Sequence, residues 1–225
     1  MKSLMYHITL SEEIKRLCPA FQGVAVMAQV TNSAHNAELW REIDAFTREL
    51  RADETAESIK QQPAIAATRE AYKRCGKDPS RYRPSAEALR RRLMRGLELY
   101  QIDTLVDLIN LVSLRTGYSI GGFDADKIQG DSLELGIGRA EEPFEGIGRG
   151  TLNIEGLPVY RDQAGGIGTP TSDNERTNMG LETRRILAIV NGYNGREGLA
   201  EAAGMIQELL RKYADSDGGT ILYFE

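Results

Sequence analysis

Apolar residues in the first half of the chain recur mostly at helical spacing. Leu39, Ile43, Phe46 and Leu50 follow one another at steps of four, three and four, which places them on one helical face. The same reasoning predicts helices after Ser11, after Pro63 with a stop at Gly76, after Ser85 as N-cap, and over residues 105–114. Two short strands are also predicted here, Met5 to Thr9 and Gly23 to Val30.

The residue pattern of the second half of the chain is typical of strands and turns. Leu133, Leu135 and Ile137 alternate with polar residues, as do Leu152 and Ile154, which is typical of half-buried antiparallel strands. We expect a strand at Val159 and Tyr160, a helix from 182 to 190, a final helix over 202–213 and a closing strand over 220–224. Mixed helices and strands followed by clustered strands predict an α+β fold, with helices around a mainly antiparallel sheet.

Composition places the chain among ordinary globular proteins. Its 225 residues are 41% hydrophobic and 27% charged, with no linker or repeat, so residues 1–225 are expected to form a single domain. No apolar run reaches the roughly 20 residues that cross a bilayer, and no secretion signal is visible. Cys18 and Cys75 lack ligand or redox spacing and are interpreted as reduced structural thiols. We therefore expect a soluble cytoplasmic protein without a membrane partner.

Motifs for self-sufficient catalysis are missing from the sequence. His7 and His35 are the only histidines, and we interpret them as structural and solvated residues, respectively. No HExxH, GxSxG or P-loop pattern occurs, so we expect neither a metal nor another cofactor. The glycines at 146, 148 and 150 precede a strand-like run rather than a helix, which favours a hairpin over a phosphate loop. The loop at 165–170 lies beside Ser172 and Asp173, where backbone amides can approach a small polar ligand.

Positive charge is concentrated in one segment of an otherwise acidic chain. The formal net charge is −5, yet residues 69–98 hold ten Lys or Arg against four acids. This run is either a solvated helix face or a surface that contacts RNA phosphates, with Tyr72 and Tyr82 available to stack on bases. The candidate RNA-binding residues are Arg81, Arg83, Arg91, Arg92 and Arg95.

Three stretches resemble a known family. They are PSRYRPSAEALRR at 79–91, LVDLIN at 105–110 with GGFD at 121–124, and DNERT at 173–177 with Glu182 and Thr183. Together they are similar to the B3/B4 domain family, which is named for a region of the bacterial phenylalanyl-tRNA synthetase β subunit and includes free-standing proteins of about this length. The resemblance is strongest over residues 60–190.

The resemblance implies an α+β fold with a central cavity, which in the synthetase hydrolyses tyrosine wrongly attached to the phenylalanine tRNA. The chain has Ile109 where the editing version has a threonine and Gly121 where it has a histidine. Both differences remove polar groups that position an ester and its attacking water. Around the remaining cavity we expect Asn110, Ser113, Gly121, Gly122, Asp124, Arg176 and Thr177.

Three functions remain open at this point. The first is binding of tRNA or aminoacyl-tRNA, with hydrolysis of a misacylated amino-acid ester in trans if the protein is an enzyme. The second is binding or hydrolysis of a small amino-acid-like metabolite without RNA. The third is a non-catalytic interaction domain. The first requires the arginines near residues 83–95 to border the cavity mouth, whereas the second places them elsewhere.

Overall fold

The computed structural model describes residues 6–225, except for the side chain of Asp53. Helices fill most of the first half, and strands dominate the second, which confirms the predicted α+β class. In the described part the helices are α1 Glu12–Leu17, α2 Ala37–Asp53, α3 Ala56–Gln61, α4 Pro63–Arg74, α5 Ser85–Met94, α6 Thr104–Thr116 and α7 Leu199–Tyr213, with a 3-10 turn at Glu175–Thr177.

Two four-stranded sheets form the β part of the described residues. The strands are β1 His7–Leu10, β2 Gln22–Gln29, β3 Ile120–Asp124, β4 Ser132–Ile137, β5 Glu145–Gly146, β6 Gly150–Thr151, β7 Pro158–Asp162, β8 Gly165–Gly168, β9 Arg185–Gly192 and β10 Thr220–Phe224. One sheet has the order β10-β2-β9-β3 and is antiparallel throughout. The other has the order β1-β4-β7-β8, in which only β1 and β4 are parallel. Strands β5 and β6 form the expected small hairpin.

The sheet that contains β9 separates two apolar cores. Ile186, Ala188 and Val190 pack against α2, α6 and α7, whereas Leu187 and Ile189 face the second sheet together with α1 and α4. Successive side chains of a strand point to opposite faces, so this one strand contributes to both cores. The molecule is thus layered as helices, sheet and sheet, with α4 in contact with β9 and α5 packed against α3 and α6.

Most helix boundaries follow from local capping. Ser11 accepts a hydrogen bond from the amide of Ile14, and Asn36 and Asp103 cap α2 and α6 in the same way. Gly117 ends α6 with a φ of 78°, in the left-handed region that glycine adopts without strain. The predicted cap at Ser85 is wrong, because Pro84 holds the cap position and Ser85 is already the first helical residue.

The predicted helix over 182–190 is wrong, since residues 185–190 belong to β9. Residues 186–193 are all buried, and strands pair with β9 on both sides. A strand buried on both faces has a continuous apolar run, which periodicity cannot distinguish from a buried helix. Leu152 and Ile154 also differ from expectation, because they lie in the connection between β6 and β7. Of the predicted strand Met5 to Thr9, Met5 lies outside the described residues.

A buried carboxylate joins α4 to α5. Glu87 has no exposed side-chain surface, and it accepts hydrogen bonds from Arg69 Nη1 at 2.8 Å and from Arg91 Nε at 2.7 Å. Arg83 Nε lies 4.0 Å from the same carboxylate. Arg69 also donates to the carbonyl of Pro79, which connects the loop before α5 to the cluster. A buried charge of this kind is tolerated because cations neutralise it.

Replacing Glu87 by glutamine should therefore destabilise the fold. The change leaves the little-exposed guanidinium groups of Arg69 and Arg91 without a counter-charge, and removal of one member of a buried ion pair costs about 3–5 kcal/mol. Urea denaturation followed by circular dichroism measures the free energy of unfolding. The control is Glu57→Gln, because Glu57 is 68% exposed and should change stability by less than about 1 kcal/mol. Equal, small effects of both changes would contradict the assignment.

Candidate functional site

A cavity of about 290 Å³ opens between α6, β3 and the loop that follows β8. Its walls are chemically divided. The apolar wall consists of Ile102, Val106, Ile109, Ile120, Ile147 and Met179, and the polar residues are Ser85, Asn110, Thr169, Ser172, Asp173 and Asn178, with Gly122 between them. An apolar cavity with a few convergent polar groups is the usual form of a small-ligand site.

Among the residues that the structure describes, Asp173 is the only carboxylate that lines this cavity. Its backbone is fixed by pairing with Gly168 and by the amide of Ile147, which donates to the Asp173 carbonyl at 3.1 Å. The carboxylate Oδ2 accepts a hydrogen bond from the Gly122 amide at 3.0 Å. Oδ1 has no hydrogen-bond donor in the described part of the chain, and a Cβ on Gly168 would lie 2.7 Å from it. Glycine in β8 therefore makes room for this side chain.

Burial raises the pKa of Asp173 to about 7, because removal from water disfavours the charged carboxylate. The hydrogen bond from Gly122 opposes this effect only in part. The group therefore exists as both acid and carboxylate at neutral pH. A carboxyl group with such a pKa in a cavity is a recognised sign of a functional site.

Of the seven predicted cavity residues, Asn110 and Gly122 line the cavity. Gly121 is the next residue along β3, where an added Cβ would meet the Phe123 ring at 2.7 Å and Asp173 Oδ1 at 3.5 Å. A larger side chain at Gly121 thus requires Phe123 to move. Ile109, at the threonine position of the editing version, contributes to the apolar wall.

The other four predicted residues lie outside the cavity lining, each held by a structural role or by burial. Ser113 donates to the carbonyl of Tyr118 at 2.7 Å at the end of α6. Asp124 accepts hydrogen bonds from Thr183 Oγ1 at 2.8 Å and from the Asp126 amide at 2.9 Å. Arg176 forms a bidentate ion pair with Asp162, and Thr177 is fully buried.

The five arginines predicted to contact RNA come together in one place. They line a surface groove of about 210 Å³, which we call the arginine groove, and its charged residues are Arg81, Arg83, Arg91, Arg92, Arg95 and Arg149. Arg149 comes from the β5–β6 hairpin and was not among the predicted residues. Within residues 6–225, no acidic side chain lines the groove.

The arginines of the groove differ in their availability. Arg91 is held by Glu87, and Arg83 lies near the same carboxylate. Arg92 Nε donates to the carbonyl of Glu98 at 2.5 Å. Three others, Arg81, Arg95 and Arg149, are exposed and have no ion pair with any residue that the structure describes.

The arginine groove and the cavity share two segments of chain. In the segment before α5, Arg83 lines the groove and Ser85 lines the cavity. In the β5–β6 hairpin, Arg149 lines the groove and Ile147 lines the cavity. Residues two positions apart are separated by at most about 7 Å. The groove and the cavity therefore lie next to each other at these two segments.

The tyrosines selected from the sequence are unsuited to base stacking. Tyr72 is fully buried, and its hydroxyl lies 2.8 Å from that of Thr171. Tyr82 is half-buried, with Lys77 Nζ 3.8 Å from its ring centre. The exposed aromatic ring near the groove is instead Tyr100, which is 67% exposed and which the sequence reasoning missed.

Neither His7 nor His35 lines the cavity or the groove, and both are exposed. Across residues 6–225, no cluster of three or more His, Cys, Asp or Glu side chains has the arrangement of a metal site. In the same range no helix is both long and apolar enough to span a bilayer.

Comparisons with known proteins agree with the fold and the motifs. The B3/4 domain family matches residues 67–210. A solved N-terminal fragment of the phenylalanyl-tRNA synthetase beta-subunit from Pyrococcus horikoshii has the same fold, with a TM-score of 0.50 and 15% identity. The similarity covers 98% of this chain but 52% of that fragment, so the chain spans about half its length. Curated protein sequences gave no match. The family match includes most of the chain, which therefore belongs to the B3/4 domain family.

Proposed function

We propose that this protein binds tRNA through the arginine groove and receives the aminoacylated 3′ end in the adjoining cavity. The observation that carries the proposal is the shared border of groove and cavity at residues 83–85 and 147–149. Phosphates are bound by such clusters because guanidinium groups pair with their oxygens in a bidentate manner. The net charge of −5 argues against attachment through the whole surface, so the groove provides a local site.

The same border weighs against the two alternative functions. A binder of a small metabolite needs no cationic groove beside its cavity. An interaction domain with an inert cavity is favoured if apolar side chains fill the pocket, yet here about 290 Å³ stays open beside Ile109. The synthetase fragment with this fold comes from a tRNA-dependent enzyme, which is consistent with the proposal.

Within the proposal, Asp173 is the group that supports ester hydrolysis. A carboxylate with a pKa of about 7 accepts a proton from water at neutral pH, and Oδ1 is the oxygen left without a donor among the described residues. The water oxygen then bonds to the ester carbonyl carbon, and the bond from that carbon to the ribose oxygen breaks. The proton held by Asp173 passes to the leaving ribose oxygen, which regenerates the carboxylate. The products are a free amino acid and uncharged tRNA.

The tRNA proposal predicts a weaker salt dependence of binding when the free arginines are removed. The triple variant Arg81→Gln, Arg95→Gln, Arg149→Gln leaves the buried Glu87 cluster intact, so folding should be unaffected. Removal of one arginine–phosphate pair should flatten the slope of log affinity against log salt by roughly 0.7–0.9. Electrophoretic binding to total tRNA across a salt series should therefore show a slope smaller by about 2 to 3.

The matched control replaces Arg16, Arg196 and Arg211, which are exposed, lie outside the groove and change the net charge equally. Their replacement by glutamine should leave the slope within about 0.5 of wild type. If both triple variants weaken binding alike, the affinity depends on total charge and the groove is not the site. A wild type without tRNA affinity at low salt rejects the proposed function.

Hydrolysis should depend on the protonation of Asp173. With misacylated tRNA and the spontaneous rate subtracted, the rate should rise with pH to about 7 and then level off, because the carboxylate is the base. Asp173→Asn should lower the rate by roughly 100-fold or more while tRNA affinity stays unchanged. Exposed Asp131 provides the control substitution, Asp131→Asn, with no expected effect. A variant at Asp173 that retains the wild-type rate excludes this role.

The pH dependence of the free energy of unfolding provides a second test of Asp173 with the Asp173→Asn variant. The pKa of Asp173 is higher in the folded state, about 7, than its ordinary value of 3.8, so between these values the native state binds more protons. Stability should therefore fall as pH rises from about 4 to 7, by no more than about 4 kcal/mol. Asp173→Asn removes this dependence and should be the more stable protein at pH 8, which separates impaired chemistry from impaired folding. Greater instability of the variant at pH 8 would contradict the assignment.

A further inference from the structure

The connection between α5 and α6 exposes an unusual amount of apolar surface. Within residues 96–103, Leu97 is 48% exposed, Tyr100 67% and Ile102 55%. Half of the large exposed hydrophobic residues in the described part of the chain lie in this segment. A clustered apolar patch on a protein surface usually marks a binding site.

Tyr100 is held in place by an arginine of the groove. The Arg92 guanidinium carbon lies 3.9 Å from the Tyr100 ring centre, and Arg92 Nε donates to the carbonyl of Glu98 in the same connection. A guanidinium stacks on an aromatic ring by cation–π attraction. Two-thirds of Tyr100 remains exposed although Arg92 covers one face of its ring, so the opposite face is open to a ligand.

The position of Tyr100 connects the two parts of the proposed site. Leu97 lines the arginine groove, whereas Ile102 lines the cavity, and Tyr100 lies between them in the chain. Tyr100 and Ile102 are at most about 7 Å apart along the backbone. A ligand chain that extends from the groove into the cavity along this connection therefore passes the tyrosine ring.

We propose that Tyr100, supported by Arg92, is a stacking site for an unpaired nucleobase next to the 3′ end of a bound RNA. The inference rests on the proposed function. A ligand that fits must carry negative charge for the groove and flat aromatic groups for the ring, which describes a single-stranded nucleic acid. Six of the eight residues that line the groove are arginines, which favours such a polyanion over an apolar protein partner.

The test uses a short single-stranded RNA with 2-aminopurine beside its 3′ terminus, because stacking quenches the fluorescence of this base. Wild type should quench it, and Tyr100→Ala should abolish quenching and weaken binding of the RNA roughly 5- to 100-fold. Tyr100→Phe should bind within about twofold of wild type, since the ring rather than the hydroxyl stacks. Thermal melting of each variant establishes that it is folded.

The chain offers a matched control in Tyr223, an exposed tyrosine on β10 covered by Arg196 at 4.4 Å and outside both the groove and the cavity. Tyr223→Ala should leave quenching and affinity unchanged. A further variant, Arg92→Lys, keeps the charge but removes the planar guanidinium, so quenching should decrease.

The outcomes distinguish this inference from the proposed function. If wild type binds RNA and the arginine triple variant weakens it, but Tyr100→Ala binds normally, the stacking site is wrong and the groove stands. If Tyr100→Ala changes only self-association, the patch contacts protein and the inference is overturned. If wild type binds neither the oligonucleotide nor tRNA, both the inference and the proposed function are rejected. Quenching by wild type that survives in Tyr100→Ala also overturns the stacking site.

Discussion

The burial of one carboxylate governs how the arginine-rich segment is arranged. Glu87 has no contact with water, so it requires cations, and α4 and α5 supply Arg69 and Arg91. This requirement accounts for part of the positive charge that the sequence concentrates at residues 69–98. The remaining charge is what a ligand can use, and it belongs to arginines such as Arg81 and Arg95 on the exposed side. Arginines that neutralise Glu87 and arginines without an ion pair among the described residues therefore lie close together in the chain.

The sequence predicted elements well wherever local chemistry decides the structure. The cap at Ser11 and the stop at Gly76 depend on neighbouring residues, and the structure contains them. The order of strands in the sheets depends on contacts between distant parts of the chain, which a single sequence does not reveal. This is why β9, which pairs with β2 and β3, was predicted as a helix. Because β9 is buried on both faces, its residues 186–190 are all apolar and do not alternate between apolar and polar.

The candidate site was predicted in part for the same reason. The arginines that are close in sequence line one groove, and Arg149 joins them from a hairpin more than fifty residues later. Ser113 and Asp124 were assigned to the cavity, yet both stand at the ends of elements, where short polar side chains bond to nearby backbone groups. Residues at such ends are poor candidates for ligand contact unless the turn they close is known. Asp173 was not predicted to line the cavity, because its position depends on glycines from β3 and β8, which are distant from one another in the sequence.

The groove and the cavity supply different parts of the proposed recognition. Phosphate contacts give affinity and position but carry no information about the attached group. In the proposal, selectivity therefore comes from the cavity, where Ile109 belongs to the apolar wall. Removal from water raises the pKa of Asp173, which lines the same cavity, to about 7. In the proposal, therefore, one cavity combines an apolar wall that selects the attached group with a carboxyl group whose pKa of about 7 suits a general base at neutral pH.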